Sequence, residues 1–315
     1  MIINRMKYGF WMACLLWMSV MGCTDTHKKK GIQDTPTSGT IRISVDESFR
    51  PVIEQQINMY QASFPEAHIE VTYKAEADCF KDFFKDSSNR LIIVGRGLTA
   101  TEEKYMTDKL SYNPGWNAVA SDAVAIIVHA KSQDSLFTLA SLKALCSGTS
   151  RDGRTVVFDG LQATSTVRYI KDSIMKGAPF DTAVVRAASN TLDVIEYVSK
   201  HENAIGLVGI SWVGNPEMPQ QAAMLKKIKM GYVQCEVCMD KPFVQPNQQS
   251  MLTRRYPLVR PVCYIVKENY EGLGTGFVSF LKFERGQLIF RRAYLGPVMD
   301  FEVRNVKINE ALPKK

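Results

Sequence analysis

Histidine is scarce: four residues, His27, His68, His129 and His201, are spread through 315, and none stands at metal-ligand spacing from another. His68 and His129 lie inside apolar, strand-like runs, where a histidine is read as structural. Ser165 lacks the flanking glycines of a nucleophile elbow, and no carboxylate pair stands out for acid–base work. Neither a P-loop nor a dinucleotide fingerprint occurs. These absences argue against an enzyme, a bound metal and an organic cofactor. No Lys/Arg-rich run or basic repeat interleaved with aromatics is present, so nucleic acid is not an expected partner. Internal repeats and low-complexity arrays are also missing.

What is present fits a soluble globular chain with ample core: hydrophobic residues make up 45% and charged residues 23%. Arg5 and Lys7 precede an apolar run, Phe10 to Val20, that is too short for a convincing membrane span. It ends at Val20-Met21-Gly22-Cys23. A charged start, a short apolar core and a small residue before the cut predict a signal peptide over residues 1–22. Residues 23–39, with Lys28-Lys29-Lys30 and Pro36, read as a flexible tether. Loss of Arg5 and Lys7 would take the net charge from +7 to +5, a mild excess that attracts small anions. Of seven cysteines, Cys14 falls in the signal and Cys23 at its end. The remaining five cannot all pair within one chain. Cys235-Glu-Val-Cys238 has redox or metal spacing, but no second Cys pair or His stands close. A local disulfide or two part-buried thiols is expected there.

From Gly39 onward the pattern becomes α/β. Thr40 to Val45 alternates like a strand, and Ile53, Ile57 and Tyr60 mark one face of the helix after it. Strands are read at His68–Tyr73, Leu91–Val94 and Ala123–His129, with helices around Phe80–Phe84 and from Thr99. Then follow a helix at 138–146, a strand at 155–158 and a helix from 164. A helix over Thr191–Lys200, a strand at Ala204–Ile210 and a strand within Lys226–Val233 come next. Residues 241–249 read as a linker, Thr253–Val266 as an irregular edge and then a strand, and Gly274–Tyr294 as a terminal helical segment. Alternating βα elements predict a mainly parallel sheet in each of two lobes. The lobes are expected at 40–128 plus 250–315 and at 129–249, joined by two crossover segments, with a cleft between them.

Four helix starts carry polar residues: Ser48, Thr99, Thr164-Ser165-Thr166 and Ser189-Asn190. Ser or Thr at such a position caps the first-turn amides. A helix start also offers N–H groups and the positive end of the dipole to an anion. One such start is an ordinary cap; several converging on a cleft would make an anion site. Arg168 lies in a first turn, where a cation opposes the dipole unless an anion is bound. Arg96 is either a ligand contact, through bidentate hydrogen bonds, or one half of a surface ion pair.

Several stretches, in order from about 40 to 298, resemble the periplasmic phosphate-binding protein family of ABC uptake systems. Asp46-Glu-Ser48-Phe49 resembles its first anion-binding loop, and Arg96-Gly-Leu-Thr99 its Ser-Arg-Pro-Leu segment. Thr164-Ser-Thr166 resembles its Ser-Gly-Thr loop. Ser189-Asn190 with Asn203-Ala-Ile-Gly-Leu is similar to the stretch ending in Gly-Ala-Ile-Gly-Tyr, and Tyr256-Pro-Leu-Val-Arg260-Pro to Tyr-Pro-Leu-Ser-Arg-Pro. Val-Met-Gly-Cys resembles a bacterial lipoprotein signal, with Cys23 the acylated N-terminus; a plain secretory signal with a coincidental Cys is the alternative. The resemblance implies an α/β, two-lobed periplasmic-binding-protein-like fold in the cell envelope, facing the periplasm. It implies phosphate or a similar oxyanion as ligand, an ABC permease of the inner membrane as partner, and no cofactor. It implies ligand contacts at Ser48, Phe49, Arg96, Thr164, Ser165, Thr166, Arg168, Ser189 and Asn190. A monomer is expected. Two family features are absent: the Asp before the Ser-Arg-Pro-Leu segment, and the Arg before the Ser-Gly-Thr loop, where Gly160 lies. Those departures leave open an envelope interaction or sensing module with a degraded anion site.

Overall fold

A computed structural model describes residues 34–160 and 164–299. The expected signal peptide, Cys23 and most of the expected tether lie outside these residues. Strand β1 (Gly39–Asp46) leads through a 3-10 turn, Glu47–Phe49, into α1 (Arg50–Ser63). Pro51 sits in the first turn of α1, where its missing N–H costs nothing, and Val52, Ile53, Ile57 and Tyr60 form the buried face. Then come β2 (Ala67–Lys74), α2 (Glu76–Lys85), β3 (Asn89–Val94) and α3 (Ala100–Leu110). Thr99 and Glu102 close a reciprocal capping box at the start of α3. The long β4 (Gly115–His129) is followed by β5 (Leu136–Phe137), α4 (Leu139–Cys146), β6 (Thr155–Phe158) and α5 (Ser165–Ser173). Beyond these lie β7 (Val185–Ala187), α6 (Thr191–Lys200), β8 (Ala204–Gly209), a second 3-10 turn (Ile210–Trp212) and α7 (Pro219–Leu225). The described residues end through β9 (Ile228–Met230), β10 (Tyr232–Gln234), β11 (Phe243–Val244), α8 (Gln248–Leu252), β12 (Val259–Val266), α9 (Leu273–Lys282), α10 (Glu284–Arg292) and β13 (Gly296–Pro297).

The main sheet runs β2-β1-β3-β12-β4-β8-β6-β7, with β13 and β9 also pairing with β4. Its two flanks, β2-β1-β3 and β8-β6-β7, are parallel, as βα connections require. The middle is antiparallel, and β4 is its pivot. Through Ala123, β4 pairs with β12; from Val124 it pairs with β8. One strand thus belongs to both flanks. Helices α1, α9 and α10 pack on one face of the first flank, and α2 and α3 enclose Phe80, Phe83, Ile92, Val94 and Met106 on the other.

Three elements differ from the sequence reading. The run Lys226–Val233 is two strands, because Gly231 breaks it. There the chain leaves β4 for a small three-stranded sheet, β11-β10-β5, and a Cβ at Gly231 would lie 2.8 Å from the Phe137 ring. Strand β12, expected after an irregular edge, already includes Pro261 and lies between β3 and β4. Its Pro261 is tolerated because the register with β4 shifts one residue later, between Val262 and Cys263. The terminal helical segment is two helices, parted where Phe283 takes an extended backbone. Cys235 and Cys238 form a disulfide, while Cys79, Cys146 and Cys263 are free and buried. Asp34, near the end of the expected tether, is ion-paired with Arg90 at 2.7 Å and accepts the Leu273 N–H at 2.6 Å.

Candidate functional site

Where β1 leaves the sheet, Asp46 caps the 3-10 turn: its Oδ1 accepts the Ser48 N–H at 2.8 Å. On the other flank, Thr164 caps α5, its hydroxyl accepting the Val167 N–H at 3.3 Å. These two starts meet. Ser48 Oγ lies 3.3 Å from both Ser165 Oγ and Thr166 Oγ1. Asp46 Oδ2 accepts the Ser165 N–H at 3.1 Å. One carboxylate therefore joins the first amides of two separate turns, at the ends where helix dipoles are positive.

A third element brings a cation. Arg260 on β12 and Asp122 on β4 are register partners, so both side chains leave the same face of the sheet. Arg260 Nε donates to Asp122 Oδ2 at 2.8 Å, and Nη1 donates to Ser165 Oγ at 2.8 Å and Thr166 Oγ1 at 3.2 Å. Nη2 is buried and has no hydrogen-bond partner among the described residues. The guanidinium sits 5.0 Å from the centre of the Phe49 ring, a cation–π distance. Both members of the Arg260–Asp122 pair have fully buried side chains.

Asp159, just past β6, gathers the remaining start. It accepts the Thr164 hydroxyl at 3.0 Å and, through its other oxygen, the hydroxyl of Thr191 at the head of α6 at 3.2 Å. The second 3-10 turn closes the cluster from below: Trp212 Nε1 donates to the Ser48 carbonyl at 3.0 Å. Gly209 leaves room here, since a Cβ would crowd the Ser48 carbonyl at 3.0 Å and Asp122 Oδ2 at 3.4 Å. Three carboxyls share this interior with one guanidinium. Burial pushes each of Asp46, Asp122 and Asp159 above the usual carboxylate range, and the attraction of Arg260 offsets only part of that.

Of the residues singled out from sequence, Ser48, Thr164, Ser165 and Thr166 are brought together, and Phe49 joins them through its ring. Arg168 points away, to a carboxylate on α2. It forms a forked pair with Glu76 and donates to the Gly95 carbonyl at 3.1 Å. Gly95 lets these segments approach, since a Cβ there would come within 2.9 Å of Ser165 Cβ. Arg96 is likewise spoken for, by a bidentate pair with Glu102 at 2.7 and 2.8 Å, and it stacks 3.8 Å from the Phe80 ring centre. Ser189 is exposed, and Asn190 caps α6 by accepting the Asp193 N–H at 3.0 Å. The anion-ready donors are therefore hydroxyls and one guanidinium, without Arg96 or Arg168. Gln162 and Ala163 lie outside the described residues.

The sequence reading missed Arg260, Asp122 and Asp159 and did not weigh Asp46 as a site residue. A signal was available: Asp122 and Arg260 each interrupt an apolar strand run, and a charge buried in a central strand needs an opposite partner. No group of three or more His, Cys, Asp or Glu side chains among the described residues could hold a metal ion.

Residues 31–283 match the family described as the PBP superfamily domain. Among solved structures, a substrate-binding protein of ABC-transporter type with bound phosphate, from Clostridium perfringens, is 19% identical with a TM-score of 0.66, over 83% of this chain and 100% of that one. An ABC-type phosphate transport receptor from Vibrio cholerae is 16% identical, TM-score 0.58, over 82% and 100% of the two chains. The sulfate-binding protein SubI from Mycobacterium tuberculosis H37Rv is 11% identical, TM-score 0.55, over 82% and 87%. At these identities the likeness shows the fold, the two-lobed α/β architecture expected from sequence. No curated protein sequence matches.

Proposed function

This chain belongs to the PBP superfamily, and from that premise we propose that it captures an oxyanion between two lobes for ABC-type uptake. In this reading the lobes are 40–128 with 250–315, of which 300–315 lie outside the described residues, and 129–249, with β4 running into both. The observation that carries this reading is one buried constellation. Among the described residues Arg260 Nη2 has no hydrogen-bond partner, and the Ser48 hydroxyl lies 3.3 Å from each of the Ser165 and Thr166 hydroxyls that Nη1 of the same guanidinium contacts. A guanidinium and three hydroxyls in a dry interior are strong donors to a small anion, and their hydrogen bonds strengthen as water leaves. Inorganic phosphate is the first candidate, because the carboxyls of Asp122 and Asp159 supply acceptors for an anion that still carries a proton. Sulfate carries none. Phosphate is the ligand named for the Clostridium and Vibrio proteins, and sulfate for SubI.

The role proposed is binding, not catalysis. A monomer, tethered to a membrane of the cell envelope through a lipid on Cys23, would deliver the anion to an inner-membrane permease. Calorimetry on protein stripped of ligand tests the anion, with phosphate, sulfate and simple carboxylates as titrants. Phosphate should bind and raise the melting temperature; no heat with any of the three defeats the reading. Metabolic labelling with a fatty acid tests the anchor, which requires label on the native chain and none on Cys23→Ala.

A second reading has its own support. The Asp46 carboxylate already takes the amides of Ser48 and Ser165, as a bound anion would. A chain that fills its cleft this way could serve as an envelope interaction or sensing module. Isolation of an envelope complex without permease components, together with an anion-free protein, would favour it.

A further inference from the structure

Asp46 is unusual in position and not merely in burial. Its two oxygens lie against two N–H groups that belong to different flanks of the sheet, at 2.8 Å to Ser48 and 3.1 Å to Ser165. Those are the first-turn amides that a helix-start anion site uses. The same few ångströms hold the unpartnered Nη2 of Arg260, a buried donor with nothing to donate to among the described residues. An incoming anion would satisfy Nη2 but would find both amides taken. Two negative groups cannot share that space without a strong mutual penalty at low dielectric.

We infer that Asp46 is an internal competitor for the anion site, so that anion capture is coupled to uptake of one proton by Asp46. This rests on the oxyanion-binding reading above. The balance is simple. In the empty protein the Asp46 carboxylate accepts the two amide hydrogens; on binding, a proton from solvent joins that carboxylate, the amides pass to an oxygen of the anion, and no covalent bond to carbon, phosphorus or sulfur changes. The charged surroundings make this proton uptake easy. Asp159 past β6 repels a second negative charge, as does neighbouring Glu47, while Arg260 of β12, itself held by Asp122 of β4, attracts it. Burial, the largest influence on Asp46, favours the neutral carboxyl. Cys79 of α2 also faces Asp46 and, with its pKa raised, stays a neutral thiol; the Glu76–Arg168 pair on the same side of Ser165 is internally compensated.

Uptake of one proton weakens binding by about tenfold for each unit of rising pH, wherever Asp46 is ionised in the empty protein and neutral in the complex. Phosphate has its own titration, so the comparison is between the native full chain and Asp46→Asn, in which that titration cancels. Phosphate binding, followed by calorimetry from weakly acidic to weakly alkaline pH, should weaken about tenfold more per pH unit in the native chain than in the variant. Calorimetry of the native chain in two buffers of different ionisation enthalpy should show one proton taken up beyond those phosphate itself accounts for. This second measurement stands even if the variant does not fold. Binding by Asp46→Asn alone, with the native chain silent except in acid, also supports the competitor. Parallel pH dependence of the two proteins, or no extra proton in the native chain, overturns the inference and leaves the oxyanion reading intact. Failure of both folded proteins to bind phosphate or sulfate at any pH sinks both.

Discussion

At Arg260, removing the charge and removing the pair have different consequences. Arg260→Met leaves Asp122 as a buried carboxylate without its counter-ion, which costs about 3–5 kcal/mol of folding stability. Replacing both partners, as in Asp122→Asn with Arg260→Met, removes the stranded charge and should recover a large part of that loss. Urea unfolding of the two single variants and the double variant checks this; equal losses in Arg260→Met and the double variant would deny that Asp122 is the stranded group. Anion binding should be lost in both Arg260 variants, since the double variant restores stability and not the donor. These residues also mark where sequence reading stopped. Ser48, Thr164, Ser165 and Thr166 were legible because polar residues mark helix starts locally, although the cap is Asp46 at the first start and Thr164 at the second. Arg260 reaches Ser165 from 95 positions away, through a strand register that no local pattern encodes. The sequence leaves Arg96 open between an anion contact and an ion pair, and offers Arg168 as an anion contact, because the acids that hold them act at a distance or out of view. Glu102 caps α3 while gripping Arg96, and Glu76 comes from a different helix.

At the scale of elements, the head of α5 carries the most, because Thr164 works in two directions. Its hydroxyl accepts the Val167 N–H and donates to Asp159. Thr164→Ala removes both, and should destabilise by about 1–2 kcal/mol, most of it from the lost cap and the weakened Asp159 network. Thr164→Ser keeps the hydroxyl and should cost much less. Chemical denaturation of the pair separates the hydroxyl from the methyl, and equal losses would assign the effect to packing instead. The disulfide at Cys235–Cys238 is a contrasting element. It closes a loop with a sequence separation of 3, so it removes little freedom from the unfolded chain. The double Cys→Ser variant should lose no more than about 2 kcal/mol. Periodicity found most of these elements, since α1, α2, α5 and α6 each show an apolar stripe and β1, β3 and β8 are buried runs with clear turns. It failed at Gly231, where the deciding fact is which sheet the strand joins. Pro257 and Pro261 mark an irregular edge before a strand, yet Pro261 itself pairs with Ser121 inside β12, next to a register shift.

For the whole molecule, two sets of carboxyls pull the pH profile of stability in opposite directions. Hydrogen bonds from Arg90, with the Leu273 amide, hold Asp34 down to about 2 from an ordinary 3.8. A depressed acid contributes stability that is present above its unfolded value and is lost as pH falls through the folded one. The Asp34 contribution therefore disappears between about pH 3.8 and 2. Asp46, Asp122 and Asp159 are raised by burial, so their sign is reversed. Each bears its proton more readily folded than unfolded; its contribution is complete below the unfolded value and is lost as pH rises through the folded one. The interior carboxyls therefore favour the folded chain more as pH falls, while the Asp34 contribution is lost only in strong acid. Two variants separate the limbs. Asp34→Asn should be less stable than the native chain near neutral pH, by about 1 kcal/mol after allowance for its part-exposed partner, and the gap should close toward pH 2. Asp46→Asn, neutral at every pH, should lose the share of the upper decline that belongs to that one group. Urea midpoints across the pH range read both. A native chain whose stability rises steadily from weak acid to neutrality would mean that the three interior carboxyls are ionised at little cost, and that the one guanidinium neutralises more of the interior than its two hydroxyl contacts and single carboxylate partner indicate.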